Sequence, residues 1–145
     1  MKTSQTGVDL IKAFEGCKLT SYLCPSGVPT IGFGNTFYKN GNKVKLGDKI
    51  TQEQADELLV NLLPRYEQTV LNNIKVALTQ NQFDALVSFC WNCGSSKTLF
   101  KMVNENFSEM NIVNWWCTHY VLGGGKVLNG LVRRRKAEAT LFVKK

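Results

Sequence analysis

The chain has 145 residues, 43% of them hydrophobic and 20% charged, with a formal net charge of +7. This length suits one domain with an ordinary core, and the hydrophobic share excludes an intrinsically disordered chain. No run of about 18 apolar residues occurs, which excludes a spanning helix, and Asp9 and Lys12 interrupt any signal-peptide core near the start. The positive balance favours polyanionic partners but does not choose among nucleic acid, anionic membrane and acidic wall polymer.

In chain order, Val8, Leu10, Ile11 and Phe14 fall at helical spacing, with Ser4 or Thr6 as N-cap and Gly16 as the left-handed stop. Leu19 to Tyr22 and Thr30 to Phe33 read as short strands joined by Cys24-Pro25-Ser26-Gly27. Asn40-Gly41 signals a second hairpin, between Thr36–Tyr38 and Lys43–Leu46. Thr51 with Gln54 forms a capping-box pattern and opens a helix to about Leu63, where Pro64 ends or kinks it before Arg65 to Asn73.

Thr79 with Gln82 repeats that pattern. The helix it opens carries Phe83, Leu86, Val87 and Cys90 on one face and stops at Gly94. Two further helices are expected, from Ser96 to about Asn104 and from Ser108 to about Tyr120. Gly123-Gly124-Gly125 reads as a flexible loop, and Leu131 to Val143 as a last amphipathic helix burying Leu131, Val132, Leu141 and Phe142. The layout is α+β with strands segregated near the N-terminus. A β-containing lobe over about residues 15–50 and a helical lobe over 51–145, joined by the N-terminal helix, would make a single domain with a groove between lobes.

Several side chains have plain structural readings. Cys17, Cys24, Cys90, Cys93 and Cys117 are an odd count and read as free thiols. Cys90 and Cys93 lack the second pair or the histidines of a zinc site, His119 being the only histidine, so no metal or organic cofactor is expected. Arg133, Arg134, Arg135 and Lys136 fan around a helix and read as a solvated face with an Arg134–Glu138 pair, or else as an attraction to anionic polymer. One of the adjacent Trp115 and Trp116 belongs to the core, and His119 is structural.

The chemistry concentrates between Phe14 and Thr36. Glu15 ends a helix beside Phe14 and Ile11, where the helix dipole and apolar neighbours disfavour a negative charge and so suit a proton donor. Taken alone it is only a surface glutamate. Cys24 follows nine residues later and Thr30 six beyond that, then the turn Thr30-Ile31-Gly32-Phe33-Gly34. The run Glu15…Cys24…Thr30-Ile31-Gly32-Phe33-Gly34 resembles the active-site segment of the phage-type lysozymes, the endolysin family. Gln82-x-x-Ala85-Leu86-x-Ser88-Phe89 with Trp91-Asn92-Cys93-Gly94 resembles that family's central helix. Gly124-Gly125-Lys126 followed by Gly130 to Glu138 resembles its C-terminal block.

The resemblance implies a lysozyme-like α+β fold and a muramidase that cuts the β-1,4 bond between N-acetylmuramic acid and N-acetylglucosamine. It implies Glu15 as general acid, Thr30 as holder of the attacking water, and Cys24 in the place of a second carboxylate. Cys24 then either helps Thr30 hold the water, with inversion, or attacks as a thiolate, with retention. Gly32, Phe33 and Asn92 become the candidate substrate contacts. The partner is peptidoglycan, with anionic wall or outer-membrane polymers as further ones; no nucleic acid is expected, and the chain is expected to act as a monomer. It would accumulate in the host cytoplasm and need a holin for passage to the wall.

Four rivals remain at this stage. A nucleic-acid module lacks a recognisable motif, and a cysteine hydrolase pairing Cys24 with His119 lacks a local signature. A lytic transglycosylase would need no Thr30 in the water place, and a non-catalytic relative would bind wall without cutting it.

Overall fold

The computed structural model describes all 145 residues. The elements are α1 (Gln5–Glu15), β1 (Lys18–Leu23), β2 (Pro29–Gly32), α2 (Gln52–Asn73), α3 (Gln80–Cys93), α4 (Lys97–Asn104), α5 (Glu109–Thr118), β3 (Leu122–Gly123), β4 (Lys126–Val127) and α6 (Asn129–Val143). The class is α+β, as the order of patterns in the sequence requires. The chain divides into two compact units: Lys12–Pro64, and Met1–Ile11 with Arg65–Lys145.

In the first unit β1 and β2 form an antiparallel pair with Tyr22 opposite Thr30 and Leu23 opposite Pro29, irregular between Lys18 and Tyr22. Ile31, Val44 and Leu58 make its small core, with Tyr38 and Ile50 packed against them. Around Asn40-Gly41 the chain does turn, with Gly41 at φ 87° and the Tyr38 N–H donating to Asn42 O at 2.8 Å. Only the single bridge Phe37–Lys43 forms, however, so the expected second hairpin is a turn without a ladder. The strand-length pairing gives way to side-chain ties. Tyr38 donates its hydroxyl to Asp48 Oδ2 at 2.6 Å, and burial together with that bond pushes the phenol up to about 12.

Thr51 and Gln54 exchange the two hydrogen bonds of a capping box, so α2 begins where the sequence places it. It does not end at Leu63. Pro64 sits inside one continuous helix to Asn73, and its missing N–H costs that helix a single internal bond.

The second unit is built around α3, in which every residue from Phe83 to Cys90 is buried. Full burial of side chains such as Phe83, Leu86 and Phe89 stabilises by about 1.5–3 kcal/mol each. Thr79 and Gln82 form the predicted capping box, and Gly94 at φ 84° stops the helix. Ser96 and Ser108 cap α4 and α5 by accepting from Leu99 N–H and Asn111 N–H. Phe89 meets Trp116 edge-on at 5.8 Å between centroids, and Trp116 meets Phe142 at 5.3 Å. Trp116 is thus the core member of the tryptophan pair. Trp115 stacks on His119 at 4.4 Å, and the His119 ring nitrogen lies 2.7 Å from Trp115 O, a structural role for the histidine.

Two expectations are corrected here. Gly123 to Lys126 is no flexible loop. Gly124 and Gly125, at φ 58° and 79°, supply the two positive angles of a tight hairpin turn between β3 and β4. The Arg133–Lys136 run is not a solvated face either. Arg133 and Lys136 are exposed, but Arg134 and Arg135 are 3% and 0% exposed. The inner face of α6 carries Arg134, Arg135, Glu138, Ala139 and Phe142, so the Arg134–Glu138 pair exists but is sealed from water. Of the apolar residues expected inside, Phe142 is buried and Leu131, Val132 and Leu141 are half-buried.

Candidate active site

Glu15 is the last residue of α1, closed by the Gly16 N–H donating to Lys12 O at 3.1 Å, with Gly16 at φ 66°. The half-buried glutamate side chain lies against the Thr30–Gly34 turn. A methyl group on Gly34 would stand 3.0 Å from Glu15 Oε1, and Gly34 is held at φ 86°. Only glycine lets the backbone approach the carboxylate so closely in that conformation.

The turn is held by a residue the sequence reading passed over. Asn35 is 3% exposed, exchanges backbone hydrogen bonds of 2.9 Å with Ile31 in both directions, and accepts from Phe33 N–H through Oδ1 at 3.2 Å. An asparagine directly after Gly-x-Gly was the available signal, since its side chain closes turns. Phe33 is 3% exposed, with the Lys12 ammonium 5.5 Å from its ring centroid, and Gly32 is buried. Both therefore shape the turn from within. Lys12 is in turn fixed by Asp56 Oδ1 at 3.0 Å.

Cys24 opens the loop between β1 and β2. Its N–H donates to Val28 O at 3.0 Å, and Gly27 N–H donates back to Cys24 O at 2.8 Å. The Ser26 hydroxyl is 2.9 Å from Cys24 Sγ. That bond, then the Val28 backbone, and less strongly the Ser26 backbone and Thr30 hydroxyl, bring the thiol down to about 7. Cys24 is accordingly a thiolate for a large part of the time at neutral pH. Thr30 is 4% exposed and donates its hydroxyl to Val28 O at 2.9 Å, leaving oxygen lone pairs to accept a hydrogen bond from water.

Tyr22 is a second group absent from the sequence reading. It lies directly across the β-pair from Thr30, and directly opposed side chains share a face. Burial, then the charges of Glu15 and Cys24, push its phenol up, so it stays a neutral hydroxyl at neutral pH. The only available signal was its place in the alternating strand. Asn92 belongs to the other unit, exposed on the last turn of α3, where it accepts from Arg135 Nη2 at 2.8 Å.

A helix-end carboxyl against a glycine turn, a partly ionised thiol and a buried threonine hydroxyl, all on one helix–hairpin unit, define a lysozyme-like α+β protein. The family description "Phage lysozyme" matches residues 12–138, and the chain belongs to that family. It is 36% identical over 148 residues to an endolysin of Acyrthosiphon pisum secondary endosymbiont phage 1, with 98% of each chain covered. It is 38% identical to the endolysin of Bacillus phage PZA, of whose length it spans only 55%. Among solved structures it resembles the muramidase domain of SpmX from Asticaccaulis excentricus, with TM-score 0.85, 35% identity and 99% of each chain covered. It also resembles an endolysin from Escherichia coli O157:H7 phage FAHEc1, with TM-score 0.84, 37% identity, and 99% of this chain and 94% of that one covered.

Proposed function

We propose that this chain is an endolysin hydrolysing the β-1,4 bond between N-acetylmuramic acid and N-acetylglucosamine in bacterial peptidoglycan. Family membership supports the substrate class. The observation that carries the mechanism is the close approach of the Gly34 turn to the Glu15 carboxyl, in the same unit as Cys24 and Thr30. Glu15 protonates the leaving oxygen. Cys24 as thiolate and Thr30 through its hydroxyl oxygen accept hydrogen bonds from a water on the opposite side of the sugar, which attacks with inversion.

The lowered thiol also supports a second reading, in which Cys24 attacks directly and the reaction retains. Cys24→Ser separates the two: near-complete survival of activity rules out the nucleophile.

The chain acts as a monomer and lyses its host once a holin opens a path to the wall; no helix is long and apolar enough to cross a membrane. On α6 the exposed Arg133, Lys136 and Lys144 line one shallow concavity with Ala137, Thr140 and Leu141, which supports attraction to anionic envelope polymer.

The test compares wild type with Glu15→Gln on purified peptidoglycan, following turbidity and fragment mass. Reducing muramic ends from wild type and none from the folded variant establish a Glu15-dependent muramidase. Anhydro ends, one water lighter, would replace hydrolysis by transglycosylation. No fragments from wild type would refute the enzymatic reading.

A further inference from the structure

Arg135 is a fully buried cation whose guanidinium touches the exposed Asn92 and the half-buried Cys93. Its Nη2 donates to Asn92 Oδ1 at 2.8 Å and to Glu138 Oε2 at 3.3 Å, and its Nη1 donates to Cys93 Sγ. Nε stands 2.9 Å from Glu138 Oε1 as a charge contact without a hydrogen bond. The guanidinium also lies 5.3 Å from the Phe89 ring centroid. Arg134 contacts the same carboxylate through its Nε at 3.3 Å. Cys93 does not supply a second anion: burial pushes its thiol up, with Arg135 pulling the other way, so it stays a neutral thiol at neutral pH. Exchanging buried ion groups for apolar ones is often neutral or stabilising, so fold stability alone is a weak reason for a second arginine here.

The consequence lies at Asn92. A guanidinium has donors and no acceptor, so the amide of Asn92 has to turn its oxygen inward. Cys93 Sγ, 3.7 Å from the same oxygen, reinforces that choice. The amide nitrogen and its two N–H groups then face outward from an exposed position on α3. The positive charge behind the oxygen also polarises the amide and strengthens those donors.

We propose that Arg135 is a positioning residue for substrate binding, locking the Asn92 amide so that it donates to a carbonyl oxygen of the glycan, of the acetamido or lactyl-amide class. This rests on the peptidoglycan reading above. Asn92→Asp is the discriminating variant. A carboxylate still pairs with Arg135, so the fold keeps its tie, but the outward group becomes an acceptor.

The experiment measures dissociation constants for an N-acetylglucosamine–N-acetylmuramic acid tetrasaccharide in a Glu15→Gln background, which leaves the glycan intact. Thermal midpoints are measured alongside. Losing one donor to a substrate carbonyl weakens binding about tenfold in Asn92→Asp, with the midpoint not lowered. Arg135→Lys, which keeps the charge but loses the fork, weakens it comparably. Combined with Asn92→Ala, Arg135→Lys adds nothing further.

Unchanged binding in Asn92→Asp, or effects of Asn92→Ala and Arg135→Lys that multiply, overturns the proposal. Should Arg135→Lys fail to fold, Arg135→Met, of similar length and without the donors, takes its place in the same comparison. Glycan binding with these losses but no cleavage by the wild type sinks the hydrolytic reading only. Cleavage with the binding constants unmoved sinks this inference only.

Discussion

Around Glu15 the carboxyl and the Cys24 thiol are half-buried, and Cys24 and Thr30 are tied to backbone and hydroxyls of the same short stretch. Cys24 is tuned by Ser26, Val28 and Thr30, all within six residues of it. Around Glu138 the groups are sealed, and beside the neighbouring Arg134 and Arg135 two of its partners come from far along the chain. Its carboxylate takes the Ser88 hydroxyl at 2.6 Å from 50 positions away and the Trp116 indole N–H at 3.2 Å from 22 positions away. Burial pushes Glu138 up, while the two guanidinium groups, Ser88 and Trp116 pull it down. The first cluster places its charge by turn geometry and keeps it accessible for chemistry. The second spends its charge on holding α3, α5 and α6 in register. Perturbing the first should change rate with little change in folding, and perturbing the second should do the reverse.

The sharpest division between the two is expected from Glu15→Gln. Clearing of peptidoglycan falls by about 10²–10⁴-fold, the usual worth of a positioned proton donor, with an unfolding midpoint near that of wild type. A midpoint that collapses with the activity would erase the contrast. Next comes Glu138→Ala, which takes the shared carboxylate away from the buried Arg134 and Arg135 and lowers stability by about 3–5 kcal/mol in urea unfolding. If it is tolerated at under about 1 kcal/mol, the buried cluster is not the brace described here.

Gly34→Ala tests the two effects at once. An alanine at φ 86° is strained by about 1–2 kcal/mol, and its methyl lies 3.0 Å from Glu15 Oε1. Activity should fall by more than the stability loss explains, read as the specific activity of the folded fraction.

The pH profile isolates Cys24. With the thiol at about 7 in the fold, the acceptor thiolate forms as pH rises, so kcat/KM climbs through about pH 7 on its alkaline-going limb. Cys24→Asp replaces it by a group that ionises near pH 4, and the limb moves down by roughly three units. A limb that stays in place assigns it to another group. The smallest effect is that of Thr79→Ala, which removes one cap of α3 and lowers stability by about 1 kcal/mol, with activity per folded molecule unchanged.

The difference between the clusters also decides what a reader of the chain sees. Capping at Thr51, Thr79, Ser96 and Ser108 follows from residues three apart, and the helices begin where those residues stand. Gly16 and Gly94 stop their helices because a left-handed angle is cheap only for glycine. The Glu15, Cys24 and Thr30 stretch is legible for the same reason: a helix end, a loop and a turn lie within about twenty residues. Pro64 left a stop and a continuation both open, and the helix continues because a single lost bond is outweighed by the apolar face of α2, which a local rule does not weigh.

What the sequence by itself determined is every feature set by neighbours a few positions apart: the caps, the glycine stops and the Cys24 to Gly27 loop, which bring the proposed carboxyl, thiol and hydroxyl onto one short stretch. Tertiary structure alone decided which of four consecutive cations are buried and that the Arg135 guanidinium reaches Asn92. Those outcomes depend on contacts between residues far apart in the chain, where burial changes the cost of a charge and one-dimensional spacing carries no record of it.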